Sequence, residues 1–256
     1  ALVLSFSIRA PFFFYSLTLA IAMVVGLYFL HPKRIAQLEE GVEEQETPDQ
    51  PDRTGWPELK AALGNAAYRA AIGVNLATGL ATFGLRSALV PLFVIEGLHA
   101  GPGLSGAAFL VAAAAQAVLL LPAGRMADTR GRKPAMLIGT TATVLGLVTL
   151  VIDNGLSSDV LFFVAMSILG MGSAFLGSAP SAVVGDVMGG RKGGIVIAAY
   201  QMVSDLGAVI GPLLGGLLLD LYGFTWAFGL GVAVSAIALV LVLTMPETLR
   251  TARQVG

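Results

Sequence analysis

The chain has 256 residues, of which 56% are hydrophobic and only 12% are charged. Soluble domains carry about 25% Asp, Glu, Lys and Arg, so this sequence has too few charges to cover a water-facing surface, and a soluble enzyme is excluded. With no cysteine and two histidines, disulfides, Cys-ligated zinc, iron–sulfur clusters, thiol nucleophiles and His-rich metal sites are excluded as well. We expect an integral membrane protein that uses no metal or cofactor and binds no nucleic acid.

Seven stretches are long enough to cross a membrane and carry at most one charge each. A spanning helix needs about 20 mostly apolar residues. The stretches cover residues 10–30, 72–95, 104–124, 134–152, 160–185, 193–219 and 221–246. The sequence therefore predicts an all-α membrane protein with seven transmembrane helices.

The basic residues fix the predicted orientation. Lys and Arg are retained on the cytoplasmic side of membrane proteins. Apart from Arg9 and Arg86, all of them follow the first, third, fifth or seventh stretch, and the connections in between carry none. This pattern predicts a cytoplasmic carboxyl terminus and an amino end on the outside of a plasma membrane, such as a bacterial inner membrane.

The connection between the first two stretches is the only long one. Its first half is rich in Glu, Asp and Pro, which is typical of a solvated, disordered linker. From Trp56 onward, apolar residues recur at helical spacing. They predict either an amphipathic helix on the inner leaflet or an inward extension of the second stretch. The chain thus divides into a transmembrane helix over residues 1–31, a cytoplasmic loop over 32–71, a six-helix bundle over 72–249 and a cytoplasmic tail over 250–256.

A short connection after the third stretch carries Gly124, Asp128, Gly131, Arg132 and Lys133. Gly124 lets a neighbouring helix approach, Asp128 can accept hydrogen bonds from a nearby helix amino terminus, and Gly131 permits a tight turn. Arg132 and Lys133 hold the turn in the cytoplasm. An ordinary basic loop would explain these two cations, but not glycine, aspartate and glycine at offsets of zero, four and seven.

This pattern resembles motif A of the major facilitator superfamily, G-x-x-x-D-x-x-G-R-K/R. Thr129 departs from it, because the family often has a basic residue there. The resemblance implies a cytoplasmic gate, to which Asp186 at the inner end of the fifth stretch also belongs.

A second pattern lies in the sixth stretch. Three glycines at four-residue intervals form one helix face that permits close packing, and a proline beside them permits a kink. The pattern resembles motif C of the drug/proton antiporter branch of the same superfamily, g-x-x-x-G-P-x-x-G-G. Its residues are Gly207, Gly211, Pro212, Gly215 and Gly216.

The family plan has two six-helix halves joined by a long cytoplasmic loop. The resemblance therefore implies a carboxyl-terminal fragment with helices six to twelve, whose partner is the missing amino-terminal half. The alternative is that the six later helices form the amino-terminal half. Motif C usually lies in the fifth helix, and Pro246-Glu247-Thr248-Leu249 is a familiar ending of the sixth.

The implied activity is alternating-access transport of a small molecule across the bilayer, with proton-coupled efflux as the expected mode. A substrate-specific metabolite facilitator or symporter of the same fold is the alternative. A seven-helix receptor is the alternative from another class. No nucleophile–base pair or phosphate loop points to an enzyme.

Ionisable residues inside a membrane span are candidate functional sites. At 1.5 Å per residue, Arg86 and Asp205 are expected at depths that differ by about 6–8 Å, a gap that arginine could bridge. The other interpretations are a structural ion pair between them, or an Arg86 side chain that extends outward beside Glu96. The candidate substrate or proton site consists of Arg86, Asp205, Gln116, Asn75 and Gln201.

Overall fold

The computed structural model describes residues 55–189 and 193–249, and every element in that part is a helix. A short helix, α1, spans Trp56–Gly64. The six longer helices are α2 (Ala66–Gly97), α3 (Gly103–Thr129), α4 (Arg132–Leu156), α5 (Asp159–Met188), α6 (Gly194–Tyr222) and α7 (Phe224–Thr244). Each of the six is long and apolar enough to cross a membrane. The predicted all-α fold is confirmed, while the predicted span at 10–30, the acidic linker and the tail at 250–256 lie outside the described residues.

A break between α1 and α2 changes one predicted boundary. Asn65 has an extended backbone (φ −82°, ψ 126°), and its side chain accepts a hydrogen bond from the backbone N–H of Ala67 at 2.9 Å. Arg69 donates to the last two carbonyls of α1, at 3.1 and 3.0 Å. Such caps end one helix and start the next. The stretch from Trp56 therefore forms a separate short helix, α1, and the span α2 starts at Ala66 instead of residue 72. Whether α1 lies on the inner leaflet stays a prediction.

A glycine reverses the chain in two very short connections, of which only the one between α3 and α4 is shorter than the sequence suggests. Only Arg130 and Gly131 separate α3 from α4, and Gly131 has φ 129°. Gly223, with φ 86°, is the only residue between α6 and α7. Backbone conformations with positive φ favour glycine, which has no Cβ to clash. The motif A segment from Gly124 to Thr129 is consequently the last part of α3 and not a loop.

The six long helices form two groups of three, α2–α4 and α5–α7, and most of the extensive helix pairs join one group to the other. α6 packs along α2, and α3 packs along α5 in the same way. α7 contacts α2 as α4 contacts α5, and α4 and α7 pack against each other. Exchanging the group α2–α4 with the group α5–α7 leaves this set of pairs unchanged. The bundle thus has the pairing of an internal pseudo-two-fold repeat, as in secondary transporters.

The bundle has two buried clusters of side chains, one towards each end. We call the end that carries α1 and the α3–α4 turn the basic end, and its core includes Tyr68, Met136 and Met245. The Tyr68 hydroxyl donates to the carbonyl of Val196 at 2.7 Å, which joins the start of α2 to α6. Towards the opposite end, Phe93 packs edge-to-face on two aromatic rings of α7 at centroid distances of 5.2 and 5.5 Å.

Helices α3 and α6 contribute less to the core than the other helices. In the most apolar 18-residue stretch of each helix, 17% of the residues of α3 and 22% of those of α6 are buried, against 50% for α2 and for α4. Helix α3 packs mainly on α5, and α6 mainly on α2. Each therefore keeps a large apolar face that no described residue covers.

Candidate functional site

A cluster of charged side chains joins three helix ends at the basic end of the bundle. Arg132, the first residue of α4, forms an ion pair with Asp128 on α3 and places its Nε 3.4 Å from Oδ2 of Asp186 on α5. The Thr248 hydroxyl, which follows α7, donates to the same Asp186 oxygen at 2.8 Å. The side chains of Arg132 and Asp186 are only 13% and 15% exposed, whereas that of Asp128 is 70% exposed. The Arg132–Asp186 contact is therefore the better shielded of the two ion pairs.

The same end contains two reciprocal helix caps. The Glu247 carboxylate accepts hydrogen bonds from the backbone N–H groups of Arg132 at 2.9 Å and Lys133 at 3.1 Å. Lys133 Nζ donates to the carbonyls of Leu243 at 2.8 Å and Met245 at 2.7 Å. The first N–H groups and last C=O groups of a helix have no partners within it, and they attract negative and positive charge respectively. Glu247, just after α7, thus supplies the negative charge at the start of α4, and Lys133 of α4 supplies the positive charge at the end of α7.

Gly131 is required at the α3–α4 turn for two separate reasons. Its φ of 129° is strained for any other residue, and a Cβ there would lie 2.3 Å from Oε2 of Glu247. The predicted tight turn at Gly131 is confirmed. The expectation that Gly124 lets a neighbouring helix approach stays a prediction, because no neighbouring side chain or helix among the described residues comes within 4 Å of where its Cβ would be.

The predicted helix-cap role of Asp128 is not seen within the described part of the chain. Among the described residues its side chain pairs with Arg132 and does not accept from a helix amino terminus; Glu247 does so instead. The reason is position, since Asp128 lies in the last turn of α3 and is exposed. Sequence reasoning missed this function of Glu247, although a carboxylate shortly after the end of a predicted helix was the available signal. Asp186 lies beside the motif A turn, as expected.

The motif C glycines lie where α6 crosses α2. A Cβ on Gly207 would lie 2.7 Å from the carbonyl oxygen of Leu76, and one on Gly211 would lie 2.8 Å from that of Leu80. A Cβ on Gly215 would lie 2.3 Å from the Leu85 side chain. The predicted close packing on one face of α6 is therefore confirmed.

Two motif C positions and the partner helix complete this crossing. Gly216 lies on another face of α6, where no neighbouring described residue comes within 4 Å of a Cβ. Pro212 lies inside α6. Across the crossing, α2 is π-helical over Gly79–Arg86, and a Cβ on Gly79 would lie 2.1 Å from the carbonyl oxygen of Ser204. Isolated π-helical segments are frequent at functional sites.

The structure does not gather the predicted mid-membrane residues into one hydrogen-bonded site. The Asn75 side chain donates to the backbone carbonyl of Tyr200 at 2.7 Å, so it joins α2 to α6. The Gln201 side chain donates to Oδ1 of Asp205 at 3.4 Å, and both side chains are exposed on α6. Gln116 is half-buried on α3.

Within the described part of the chain, Arg86 and Asp205 form no salt bridge. The register of α2 and α6 explains this, because Ser204 lies against Gly79. Arg86 is seven residues beyond Gly79, whereas Asp205 is one residue beyond Ser204, so Arg86 lies about 9 Å further along the helix direction than Asp205. Nε and Nη1 of Arg86 are buried and have no hydrogen-bond partner among the described residues.

Six membrane-spanning helices in two exchanged groups, with a charged cluster at one end, define a multi-pass membrane protein of the transporter type. The sequence pattern of the Major Facilitator Superfamily matches residues 71–255. The chain belongs to this superfamily.

The relatives of this chain include exporters. It is 33% identical to an uncharacterised MFS-type transporter of Mycobacterium tuberculosis over 50% of this chain and 21% of that protein. It is 30% identical to the multidrug resistance protein MdtG of Yersinia enterocolitica over 60% of this chain and 37% of the relative. It is 31% identical to the enterobactin exporter EntS of Salmonella choleraesuis over 50% and 31%, respectively. The chain thus spans well under half of the length of these relatives.

Solved structures agree with the fold. A crystal structure of the peptide transporter POT in complex with sulfate matches 70% of this chain and 37% of the transporter, with a TM-score of 0.60 and 23% identity. A match at this identity shows a shared fold.

Proposed function

We propose that the chain is part of a secondary active transporter that moves a small molecule across the bacterial inner membrane by alternating access, with proton-coupled efflux as its mode. The observation that carries the proposal is the basic-end cluster. Its contacts are ion pairs and helix caps between the ends of α3, α4, α5 and α7. Polar contacts of this kind can break and re-form as helix ends move, while the buried core stays packed.

In this proposal the basic end is the cytoplasmic gate. Arg132 and Lys133 retain this end in the cytoplasm, so the carboxyl terminus is cytoplasmic too. When the gate is closed, Asp128, Asp186 and Glu247 hold the α3–α4 turn against the ends of α5 and α7 through the contacts described above. Breaking those contacts opens the end towards the cytoplasm.

A second six-helix bundle completes the transport cavity. Helices α3 and α6 leave apolar faces uncovered by described residues, and the relatives are more than twice as long as the matched part of this chain. We propose that the amino-terminal half of the transporter packs on α3 and α6, with the substrate between the halves. Asp205 and Gln201, exposed on α6, then face this cavity.

The relatives and motif C support efflux as the proposed direction of transport. MdtG and EntS carry the names of a multidrug resistance protein and an exporter, which favours efflux. A relative named as a peptide transporter, from Yersinia enterocolitica, is 27% identical over 58% of this chain. It favours the alternative, a substrate-specific symporter of the same fold.

Helix α1 is proposed to lie in the cytoplasmic lipid interface. Its Trp56 side chain is 79% exposed and Leu63 is also exposed, and Lys60 lies one helical turn from Trp56. Interfacial tryptophan with a neighbouring lysine is typical of helices at the lipid headgroup level.

The test of the proposed function is transport in membrane vesicles, with two fluorescent probes of opposite charge, the cation ethidium and the anion fluorescein. The 256-residue chain is expressed alone and together with the proposed amino-terminal bundle. We expect movement of at least one probe that responds to a pH gradient only in the co-expressed sample, since one bundle supplies only one wall of the cavity. Robust transport by the chain alone would contradict the two-bundle proposal. No gradient-driven transport of either probe by a folded pair would contradict proton-coupled efflux of these probes.

A further inference from the structure

Arg86 lies at an irregular point of α2. It ends the π-helical segment Gly79–Arg86, and Pro91 follows within the next helical turns. Proline has no N–H and cannot donate to the carbonyl four residues before it. Arg86 is 11 residues from Gly97, the last residue of α2, which places it about 16 Å inside the span at 1.5 Å per residue.

The guanidinium group of Arg86 is held inside the bundle. Its Nε and Nη1 atoms are buried, and Val90, one turn further along α2 on the same face, is fully buried in the core. A side chain that reached out to the lipid headgroups beside Glu96 would expose these nitrogens. The structure therefore argues against the outward-extended interpretation of Arg86.

No described residue supplies the missing counter-charge. Arg86 forms no salt bridge or side-chain hydrogen bond within residues 55–189 and 193–249. Asp205 lies about 9 Å away along the helix direction, as the register of α2 and α6 shows. Arginine cannot lose its proton in a protein, and a buried charge without a partner costs several kcal/mol. A buried arginine in this position requires an anion.

We infer that Arg86 binds a carboxylate or similar oxyanion of the substrate, so that the transporter recognises anionic small molecules. The inference rests on the proposed function, in which the substrate lies between the two halves of the transporter. The planar guanidinium presents parallel N–H donors that match two carboxylate oxygens. Nη2 is not among the buried, unpartnered atoms and is left for a ligand to reach. A carboxylate from the amino-terminal half would satisfy the same chemistry, and the experiment distinguishes the two sources.

The experiment measures binding of matched probes to the purified full transporter in detergent. The probes are benzoate and benzamide, which have a similar shape but differ in charge, and binding is followed by intrinsic tryptophan fluorescence. The variants are Arg86→Gln and Arg86→Lys. Arg130→Gln is the control, because it also removes one positive charge but from an exposed side chain.

We expect the wild type and Arg130→Gln to bind benzoate at least about tenfold more tightly than benzamide, a difference of about 1.4 kcal/mol. Arg86→Gln should lose this preference. Arg86→Lys should keep part of it, because lysine retains the charge but not the two-pronged geometry.

Two results would overturn the inference. One is a benzoate preference that survives in Arg86→Gln, which would place the anion site elsewhere. The other is a wild type without any preference. If Arg86→Gln then also melts at a lower temperature than Arg130→Gln, the counter-charge is a carboxylate of the amino-terminal half. Transport of the cationic and the anionic probe in vesicles is read separately, so a failed anion site and a failed transport function give different results.

Discussion

Glu247 illustrates how one side chain can determine the geometry of a helix end. Its two carboxylate oxygens accept the first N–H groups of α4, and a Cβ at Gly131 would collide with one of them. The same carboxylate also accepts from the N–H of Leu249 at 3.1 Å. The caps thus fix the α3–α4 turn and the segment after α7 relative to each other.

Removing this cap should destabilise the bundle. Glu247→Ala leaves the N–H groups of Arg132 and Lys133 without their acceptor, and we expect a loss of about 1–2 kcal/mol in the free energy of unfolding. Thermal unfolding in detergent measures the loss. Glu96→Ala, which removes an exposed carboxylate at the opposite end, is the control and should change little. Equal stability of the two variants would show that the cap contributes nothing.

The two carboxylates beside Arg132 should differ in their contribution. Asp186→Asn weakens a shielded contact and should cost about 1–3 kcal/mol, whereas Asp128→Asn alters a pair that is largely exposed and should cost less than about 1 kcal/mol. Thermal unfolding of both variants checks this order. The reverse order would mean that exposure does not govern these ion pairs.

If this cluster is the gate, Asp128→Asn should slow transport without weakening substrate binding. The residue lies at the basic end and contacts Arg132, far from the middle of the span. Turnover in vesicles and affinity in a binding assay are measured on the same variant. An affinity loss of tenfold or more, about 1.4 kcal/mol, with preserved turnover would place Asp128 in the substrate site.

At the scale of elements, the crossing of α2 and α6 depends on glycine. The two backbones approach so closely that a Cβ atom at Gly207 or Gly211 would lie within 3 Å of a carbonyl oxygen of α2. Real Cβ atoms do not tolerate such contacts, so a side chain at either glycine would push the helices apart. The pseudo-equivalent pair, α3 and α5, shows the same dependence. A Cβ on Gly170 of α5 would lie 2.2 Å from the Ala112 carbonyl oxygen of α3.

Gly211→Ala and Gly216→Ala form a matched test of this packing. The added methyl group at position 211 meets Leu80 and Gly84 of α2, so we expect a loss of about 1–3 kcal/mol. At position 216 no described atom lies within 4 Å of the methyl group, and alanine is the better helix former. Gly216→Ala should therefore leave the unfolding temperature unchanged or slightly raised. A similar loss in both variants would indicate a helix effect and not a packing effect.

At the scale of the whole molecule, the separation of Arg86 and Asp205 argues against a structural ion pair between them. A structural ion pair would make each residue depend on the other for folding. The register of α2 and α6 keeps them about 9 Å apart along the helices, so their roles can be tested one at a time.

Asp205→Asn should express and fold normally, because Asp205 is exposed and its side chain hydrogen-bonds only to Gln201 among the described residues. If protons pass through this carboxylate, the amide should abolish pH-gradient-driven transport while leaving substrate binding and exchange intact. Transport with and without a pH gradient measures this. Asp220→Asn, an exposed carboxylate at the other end of α6, is the control. A wild-type response to the gradient would remove Asp205 from the mechanism.

The sequence by itself determined the helical class, the six later spans and the motifs that mark the family. These are local properties, since about 20 consecutive apolar residues define a span and a glycine with positive φ defines a turn. Helix ends were less predictable from the apolar pattern. Caps decide them, and Asn65 starts α2 six residues before that pattern does.

Only the tertiary structure decided which residues meet. The carboxylate that caps α4 comes from Glu247, 119 positions after Asp128, because α4 and α7 pack side by side. Likewise, Arg86 and Asp205 differ in depth because close glycine contacts set the register between α2 and α6. Neither fact can be read from one helix alone, since relative position depends on how two surfaces fit together and not on the residues of either surface.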